Sequence, residues 1–266
     1  LHLHILGSGS KGNCALIEGP QGLIMVDDGL SRRETLKRMA ELGLSADNVS
    51  ALFVTHEHSD HIKGLDVWCK HWRGPLFASR NTLASKESLA HVPVEEFDPG
   101  DVLEIAGVRI QTYSTSHDVI NPVGYRFDAL GDSIGFATDT GELSSHAIDT
   151  LKDCRVLALE SNHDVAMLRQ GDYPRFLQER ILSAKGHLSN DQAANAAREL
   201  VTVRTEQLIA MHISQDNNRP SLTVKSYARA LDATLDDEIG STATRHSGSR
   251  ELTIRPAGQY RPMSIQ

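Results

Sequence analysis

The sequence predicts an α/β (α+β) fold in four layers, αββα, with two sheets packed face to face and helices outside. Two observations carry that expectation. Runs of short strands followed by mixed strand and helix occur twice along the 266 residues, a rhythm that two covered sheets accommodate. Composition is ordinary for a globular chain, 39% hydrophobic and 23% charged, so a sizeable core is available and wholesale disorder is not expected. No repeat, low-complexity tract or interdomain linker interrupts it, and residues 1–266 read as a single domain.

In the first third, residues 1–6, 14–18 and 23–26 read as strands, with Gly19-Pro20-Gln21-Gly22 as the turn between the last two. Ser31 has the character of an N-cap, and Glu34 three residues on would complete a capping box. Leu36, Met39, Ala40 and Leu42 then recur at helical spacing until Gly43 stops the helix. Residues 51–55 form a buried strand. A helix over 61–72 should follow, because Ile62, Leu65, Trp68, Cys69 and Trp72 share one face. The stretch 76–138 is β-rich, most clearly at 102–105, 108–115, 124–127 and 133–138. Beyond it the pattern predicts strands over 156–159, 207–211 and 252–254, and helices over 173–182, 189–200 and 222–231. The polar residues 232–249 and the end after Arg255 are expected to be loose.

A net charge of −8 argues against a protein that coats nucleic acid through a general basic surface. It leaves room for one that grips a short stretch at a locally positive, metal-bearing site. Cys14, Cys69 and Cys154 are odd in number and far apart, so they read as reduced, mostly buried thiols. No apolar run approaches the length of a membrane span, and the opening Leu1-His2-Leu3-His4-Ile5-Leu6 is too short for a signal peptide and lacks its basic flank. The expected address is the cytoplasm.

The strongest local signal is His56-Glu57-His58-Ser59-Asp60-His61, directly after the strand at 51–55. Imidazole nitrogens and carboxylate oxygens are the ligands that suit zinc, manganese or iron. In an extended loop His56 and His58 project the same way and can share one ion, while Asp60 and His61, beyond the bend, can reach a second. A solvated polar loop does not need this density of ligands.

The string HxHxDH, as His56, His58, Asp60 and His61, resembles the signature motif of the metallo-β-lactamase-fold superfamily. The likeness continues in order. Asp27 in Met25-Val26-Asp27-Asp28-Gly29 matches the family's upstream aspartate, and His117 in Ser116-His117-Asp118 its third histidine. Asp139 in Ala137-Thr138-Asp139-Thr140-Gly141 matches the metal-bridging aspartate, and His212 in Met211-His212-Ile213-Ser214 the last histidine. Each lies just past a predicted strand. The resemblance implies two divalent ions, zinc or manganese with iron as a further candidate. It places His56, His58 and His117 at site one, Asp60, His61 and His212 at site two, and Asp139 between them. Three imidazoles and a shared carboxylate leave a position open for water, as a catalytic site requires. Two such ions can hold a hydroxide at neutral pH and stabilise attacking and leaving oxygens, with Asp60 steering the nucleophile. Asp27 is expected to orient ligands rather than bind metal.

Gly186-His187-Leu188-Ser189-Asn190-Asp191, followed by residues 207–214, is similar to the closing motifs of tRNase Z-like phosphodiesterases. The likeness implies that His187 lies near the scissile phosphate, with Glu160 as its carboxylate partner. A phosphodiester leaving oxygen wants a proton, and an imidazolium held by a carboxylate supplies charge and proton together. As a whole the chain looks most like the YycJ/WalJ branch of the superfamily. The matching stretches are Gly7-Ser8-Gly9-Ser10-Lys11-Gly12-Asn13, Glu160-Ser161-Asn162-His163-Asp164 and Asn217-Asn218-Arg219-Pro220. That branch is associated with 5′-to-3′ exonuclease action on DNA. The chain departs from tRNase Z in lacking a glycine- and proline-rich arm and in carrying Gln215 after His212-Ile213-Ser214. Ser8, Ser10, Lys11, Asn13, His163 and Asn218 are the expected substrate contacts, with nucleic acid or a small phosphodiester as partner.

Other readings are weaker. Gly7-Ser8-Gly9-Ser10-Lys11-Gly12 matches GxGxxG, but Gly19-Pro20 follows too soon for the helix a dinucleotide site needs. A diiron oxidoreductase of this fold usually has a glutamate where His58 stands. Hydrolysis of a β-lactam or lactone, or a non-catalytic metal-stabilised binding module, stays open as the alternative.

Overall fold

Short antiparallel strands begin a seven-stranded sheet in the first of two compact units, which comprises Leu1–Ser114, Val119–Asp132 and Gly258–Gln266. The second unit comprises Thr115–Asp118 and Ser133–Ala257. The structure, a computed structural model, describes residues 1–266. No helix is long and apolar enough to cross a membrane.

In the first unit β1 (His2–Gly7), β2 (Cys14–Gly19) and β3 (Gly22–Val26) form an antiparallel meander. The chain then crosses over through α1 (Arg32–Glu41) so that β4 (Val49–Val54) runs parallel to β3. Two further parallel strands, β5 (Leu76–Ser79) and β6 (Val94–Phe97), extend the sheet. Both are too short to stand out from the general β-rich pattern of the sequence. β4 is apolar on both faces because both are covered. Leu52 and Val54 enter a core with Leu36 and Met39 of α1 and with Leu65 and Trp68. Phe53 turns the other way, stacking on Phe77 at 4.6 Å and meeting Tyr125 edge-on at 5.6 Å. Tyr125 belongs to an antiparallel ribbon of β7 (Val102–Ile105), β8 (Val108–Ser114) and β9 (Val123–Ala129). Helix, sheet and second sheet are thus stacked within this unit.

Two local expectations need correction. Ser31 does cap α1, its Oγ accepting from the Glu34 N–H at 3.3 Å, but no reciprocal capping box forms: the Glu34 carboxylate accepts from Arg38 Nε at 2.8 Å instead. The single helix expected over 61–72 is broken into α2 (Ser59–Ile62) and α3 (Leu65–His71). Gly64 is the reason. Its N–H donates to the Asp28 carbonyl at 2.7 Å, and a Cβ there would sit 2.1 Å from the Leu30 carbonyl oxygen. Tertiary contact overrides the apolar periodicity.

In the second unit β10 (Asp132–Ala137), β11 (Val156–Glu160) and β12 (Gln207–Met211) are parallel neighbours. They are joined by α4 (Ser145–Leu151) and then by α5 (Val165–Gln170), α6 (Arg175–Leu182) and α7 (Asn190–Leu200). Ser189 and Gln192 close a capping box on α7, worth about 1 kcal/mol. Small residues Ala193, Ala194 and Ala197 make its buried face, beside which α8 (Pro220–Leu231) lies, with Val224, Tyr227 and Leu231 buried. The polar stretch expected to be loose carries β13 (Thr234–Leu235) and β14 (Ala243–Ser247), which pair in a ladder with β15 (Arg250–Pro256). Ala243 opposite Ile254, both fully buried, anchors it. The tail is ordered too: β16 (Met263–Ile265), in the first unit, pairs with β1 and buries Ile265.

The consequence for function is positional. Parallel strands share one carboxyl end, where loops gather. Val26 of β3 pairs with Phe53 of β4, so Asp27 and Thr55 emerge side by side. Ala137 pairs with Leu159, and Glu160 with Met211, so Asp139, Glu160 and His212 emerge from one edge of the second unit.

Candidate functional site

In the first unit the ligand-rich loop is held from behind. Asp27, with φ of 59°, accepts from the Thr55 N–H and the Thr55 hydroxyl, each at 2.8 Å. Its Oδ2 also lies 2.8 Å from His61 Nδ1, and Thr55 Oγ1 lies 3.0 Å from His56 Nδ1. These bonds favour the tautomers in which both Nδ1 atoms carry the proton and the lone pairs lie on Nε2, the nitrogen a cation would use. His56 Nε2 is 3.2 Å from His58 Nδ1, so two donors on one loop already face each other. Asp60 and His61 lie in the single turn of α2, with Asp60 Oδ2 3.6 Å from His61 Nε2.

Asn13 fastens that turn. Its N–H donates to the Asp60 carbonyl at 2.8 Å, and its amide lies 3.2 Å from Asp60 Oδ2 and 3.0 Å from His61 Nε2. The asparagine expected to meet substrate is therefore buried against Asp60 and His61. Gly29 belongs to the same seam, since a Cβ there would fall 1.7 Å from the Asp60 carbonyl oxygen. Ser8 is buried as well, its N–H donating to the Gly258 carbonyl at 3.2 Å. Ser10 and Lys11 are exposed, and the Lys11 N–H is taken by Gln259 at 2.8 Å.

Asp28, beside Asp27, was assigned no role by sequence and is fully buried. Thr35 donates to its Oδ1 at 2.8 Å, while Oδ2 has no hydrogen-bond partner. Burial pushes its pKa up to about 7, helped by the Asp27 charge and opposed by the Thr35 bond. The folded pKa lies above the unfolded one, so the stability it contributes is complete below the ordinary carboxylate range and is lost as pH rises through 7. From pH 5.5 to 8.5 the wild type should lose about 2 kcal/mol more unfolding free energy than Asp28→Asn, at about 1.4 kcal/mol per pH unit. Urea titrations at the two pH values measure this, and equal losses would show that the carboxyl ionises without penalty.

In the second unit His117 follows β8, its Nδ1 3.0 Å from the Gly186 carbonyl, an acceptor that favours the proton on Nδ1 and the lone pair on Nε2. Asp139, at φ 53°, accepts from Thr138 Oγ1 at 2.6 Å through Oδ2. Its Oδ1 faces three imidazoles, with His212 Nδ1 at 3.6 Å, His187 Nδ1 at 3.7 Å and His117 Nε2 at 4.0 Å. Glu160 is wholly buried: Oε2 accepts from the N–H groups of Thr140 and Leu188, each at 3.0 Å, and Oε1 lies 2.8 Å from His187 Nδ1 and 3.2 Å from His212 Nδ1. Burial alone would raise its pKa, but the charge and hydrogen bond of His187, with a second bond from His212, bring it down to about 2. Asp139, Glu160, His187 and His212 each bring one ligand atom within 4.8 Å of the others. His187 is the part-exposed member, at 19%, with Nε2 directed away from its carboxylate anchor.

Two expected substrate contacts are buried in this unit. Asn218 donates to the Ser161 and Asn162 carbonyls at 3.0 Å and to Asn190 Oδ1 at 2.8 Å, and so locks the loop after β11 to α7. His163 is fully buried with neither ring nitrogen hydrogen-bonded, and burial pushes its pKa down to about 4. Asn162, which sequence reasoning quoted only for family likeness, holds His212 through its carbonyl at 2.9 Å. Thr55 was likewise missed; its position directly before the HxHxDH string was the available signal.

The family pattern described as Beta-lactamase superfamily domain matches residues 23–213. Exodeoxyribonuclease YycJ of Bacillus anthracis is 36% identical over 236 residues, covering 87% of this chain and 89% of that protein. Exodeoxyribonuclease WalJ of Streptococcus pneumoniae (serotype 2) is 33% identical, covering 80% and 82% respectively. Among solved structures, the metallo-β-lactamase fold protein YhfI of Bacillus subtilis superposes with a TM-score of 0.70 at 14% identity, over 99% of each chain, a likeness of fold alone.

Proposed function

Because the chain belongs to the beta-lactamase superfamily, as a metal-dependent hydrolase of its YycJ and WalJ branch, we propose that it is a phosphodiesterase acting as a 5′-to-3′ exonuclease on DNA. It would use two divalent cations, zinc or manganese with iron also suited, held by His56, His58, Asp60, His61, His117, Asp139 and His212. The donor set fits them: imidazoles whose Nδ1 atoms are anchored, which puts the lone pair on Nε2, and carboxylates that face imidazole nitrogens. When bound, such ions supply an activated water at neutral pH and positive charge for the attacking and leaving oxygens.

The observation that carries the reading is the His187–Glu160 pair. A buried carboxylate 2.8 Å from Nδ1 keeps that nitrogen protonated and turns Nε2 outward. As the imidazolium, with the second proton taken up from solvent, His187 can hold a phosphate oxygen through Nε2–H and pass that proton to the departing sugar oxygen. Thr140 and Leu188 hold the other Glu160 oxygen through their N–H groups, so the carboxylate cannot rotate away. A lactam or lactone needs no such charged donor. Asp27, Thr55 and Asn13 would position the first ligand group, and Asn162 the last.

End-labelled single- and double-stranded DNA, incubated with protein stripped and then reloaded with each metal, tests this directly. Nucleotides should be released from the 5′ end, only with metal restored. Activity confined to lactams or RNA would overturn the assignment to DNA, and a metal-replete protein that binds without cutting would overturn the assignment to hydrolysis.

A further inference from the structure

A second group of donors stands on β1 and β2 and shares no residue with the site above. His2 and His4 are two apart on one strand and so project from the same face of the sheet. Glu18 on β2 stands in register with His2, and Ser264 on β16 with His4. One carboxylate oxygen, Glu18 Oε2, lies 3.1 Å from His2 Nδ1 and 3.1 Å from His4 Nε2. His4 is buried at 6% side-chain exposure, while His2 and Glu18 are each 44% exposed, so the group opens to solvent on one side.

Donor atoms around a tetrahedral zinc, with bonds of about 2.0–2.1 Å, stand about 3.3 Å apart. Each nitrogen already stands 3.1 Å from the oxygen, and the three atoms lie within 4.8 Å of one another. A partner behind His4 is also in place: Ser264 Oγ lies 2.7 Å from Nδ1 and can accept a hydrogen bond from it when Nε2 gives up its own hydrogen to bind a cation. Burial holds the His4 pKa below its ordinary value against the opposing pull of Glu18, which favours the neutral imidazole that a cation needs.

We propose that His2, His4 and Glu18 form a site for one zinc-class divalent cation, with water completing the tetrahedron. Two imidazoles and one carboxylate suit zinc, copper or nickel rather than magnesium or calcium. The ion ties β1 to β2 directly and to β16 through Ser264, clamping the last strand onto the sheet.

Calorimetric titration of the metal-replete full chain with Zn²⁺ tests the site. Wild type should take up one further equivalent and gain thermal stability from it. His2→Asn and Glu18→Gln, both at half-exposed positions, should weaken that binding by at least about tenfold and abolish the thermal gain. Their nuclease turnover and their remaining metal content should match wild type. No further equivalent in the wild type, or isotherms and thermal gains shared by wild type and both variants, would overturn the proposal and leave an imidazole–carboxylate hydrogen-bond pair.

Discussion

His187→Ala should lower phosphodiester turnover by about a hundredfold or more while the protein keeps its full complement of metal. The separation of the two readouts follows from the bonds His187 makes. Its Nδ1 is 2.8 Å from Glu160 Oε1 and its side chain is part-exposed, so alanine removes a proton donor without removing Asp139 or His212. A proton-donor role also predicts that the loss falls on kcat, and that substrates with better leaving groups, such as a nitrophenyl phosphodiester, suffer least. Glu160→Gln offers a second arm. It is isosteric, but it removes the charge that holds the imidazolium and should lower kcat in the same direction. Turnover of His187→Ala equal to wild type would remove His187 from the mechanism.

Asp139→Asn should cost both metal and activity, with turnover down by about a thousandfold or more, equivalent to about 4 kcal/mol. The charge on Oδ1 is what three imidazoles, those of His117, His187 and His212, face within 4.0 Å. Asparagine is the informative substitution because residue 139 sits at φ 53°, a left-handed conformation that Asn shares with Asp and that alanine would occupy only with strain. The fold should therefore survive, and elemental analysis of the purified variant reads the metal directly. Wild-type metal content would exclude Asp139 as a ligand to both ions.

Much of this is legible in the amino-acid sequence. The HxHxDH string is local, and its loop follows an apolar strand whose pattern is unambiguous; β7 and β12 match their expected residues throughout. What failed was decided by distant contacts. The helix expected over 61–72 breaks at Gly64 because the backbone of Asp28 and Leu30 crosses it. The stretch 232–249 looked loose because its polar residues alternate with few apolar ones, yet the ladder to β15 needs only Ala243 and Ile254 on the buried side. Asn13 and Asn218 were read as substrate contacts because polar residues in glycine-rich or proline-flanked loops often are. Both instead satisfy buried backbone and ligand groups that would otherwise lack partners.

By itself the amino-acid sequence determined which side chains can bind cations and that their motifs follow strands, since ligand chemistry and strand periodicity are both properties of a few consecutive residues. Tertiary structure alone decided how those ligands are aimed. Asp27 reaches His61 across 34 residues, Asn13 reaches Asp60 across 47, and Asn162 reaches His212 across 50. Hydrogen bonds over such separations leave no periodic trace in a chain. They exist because parallel strands bring distant loops to one edge, where buried donors must find acceptors.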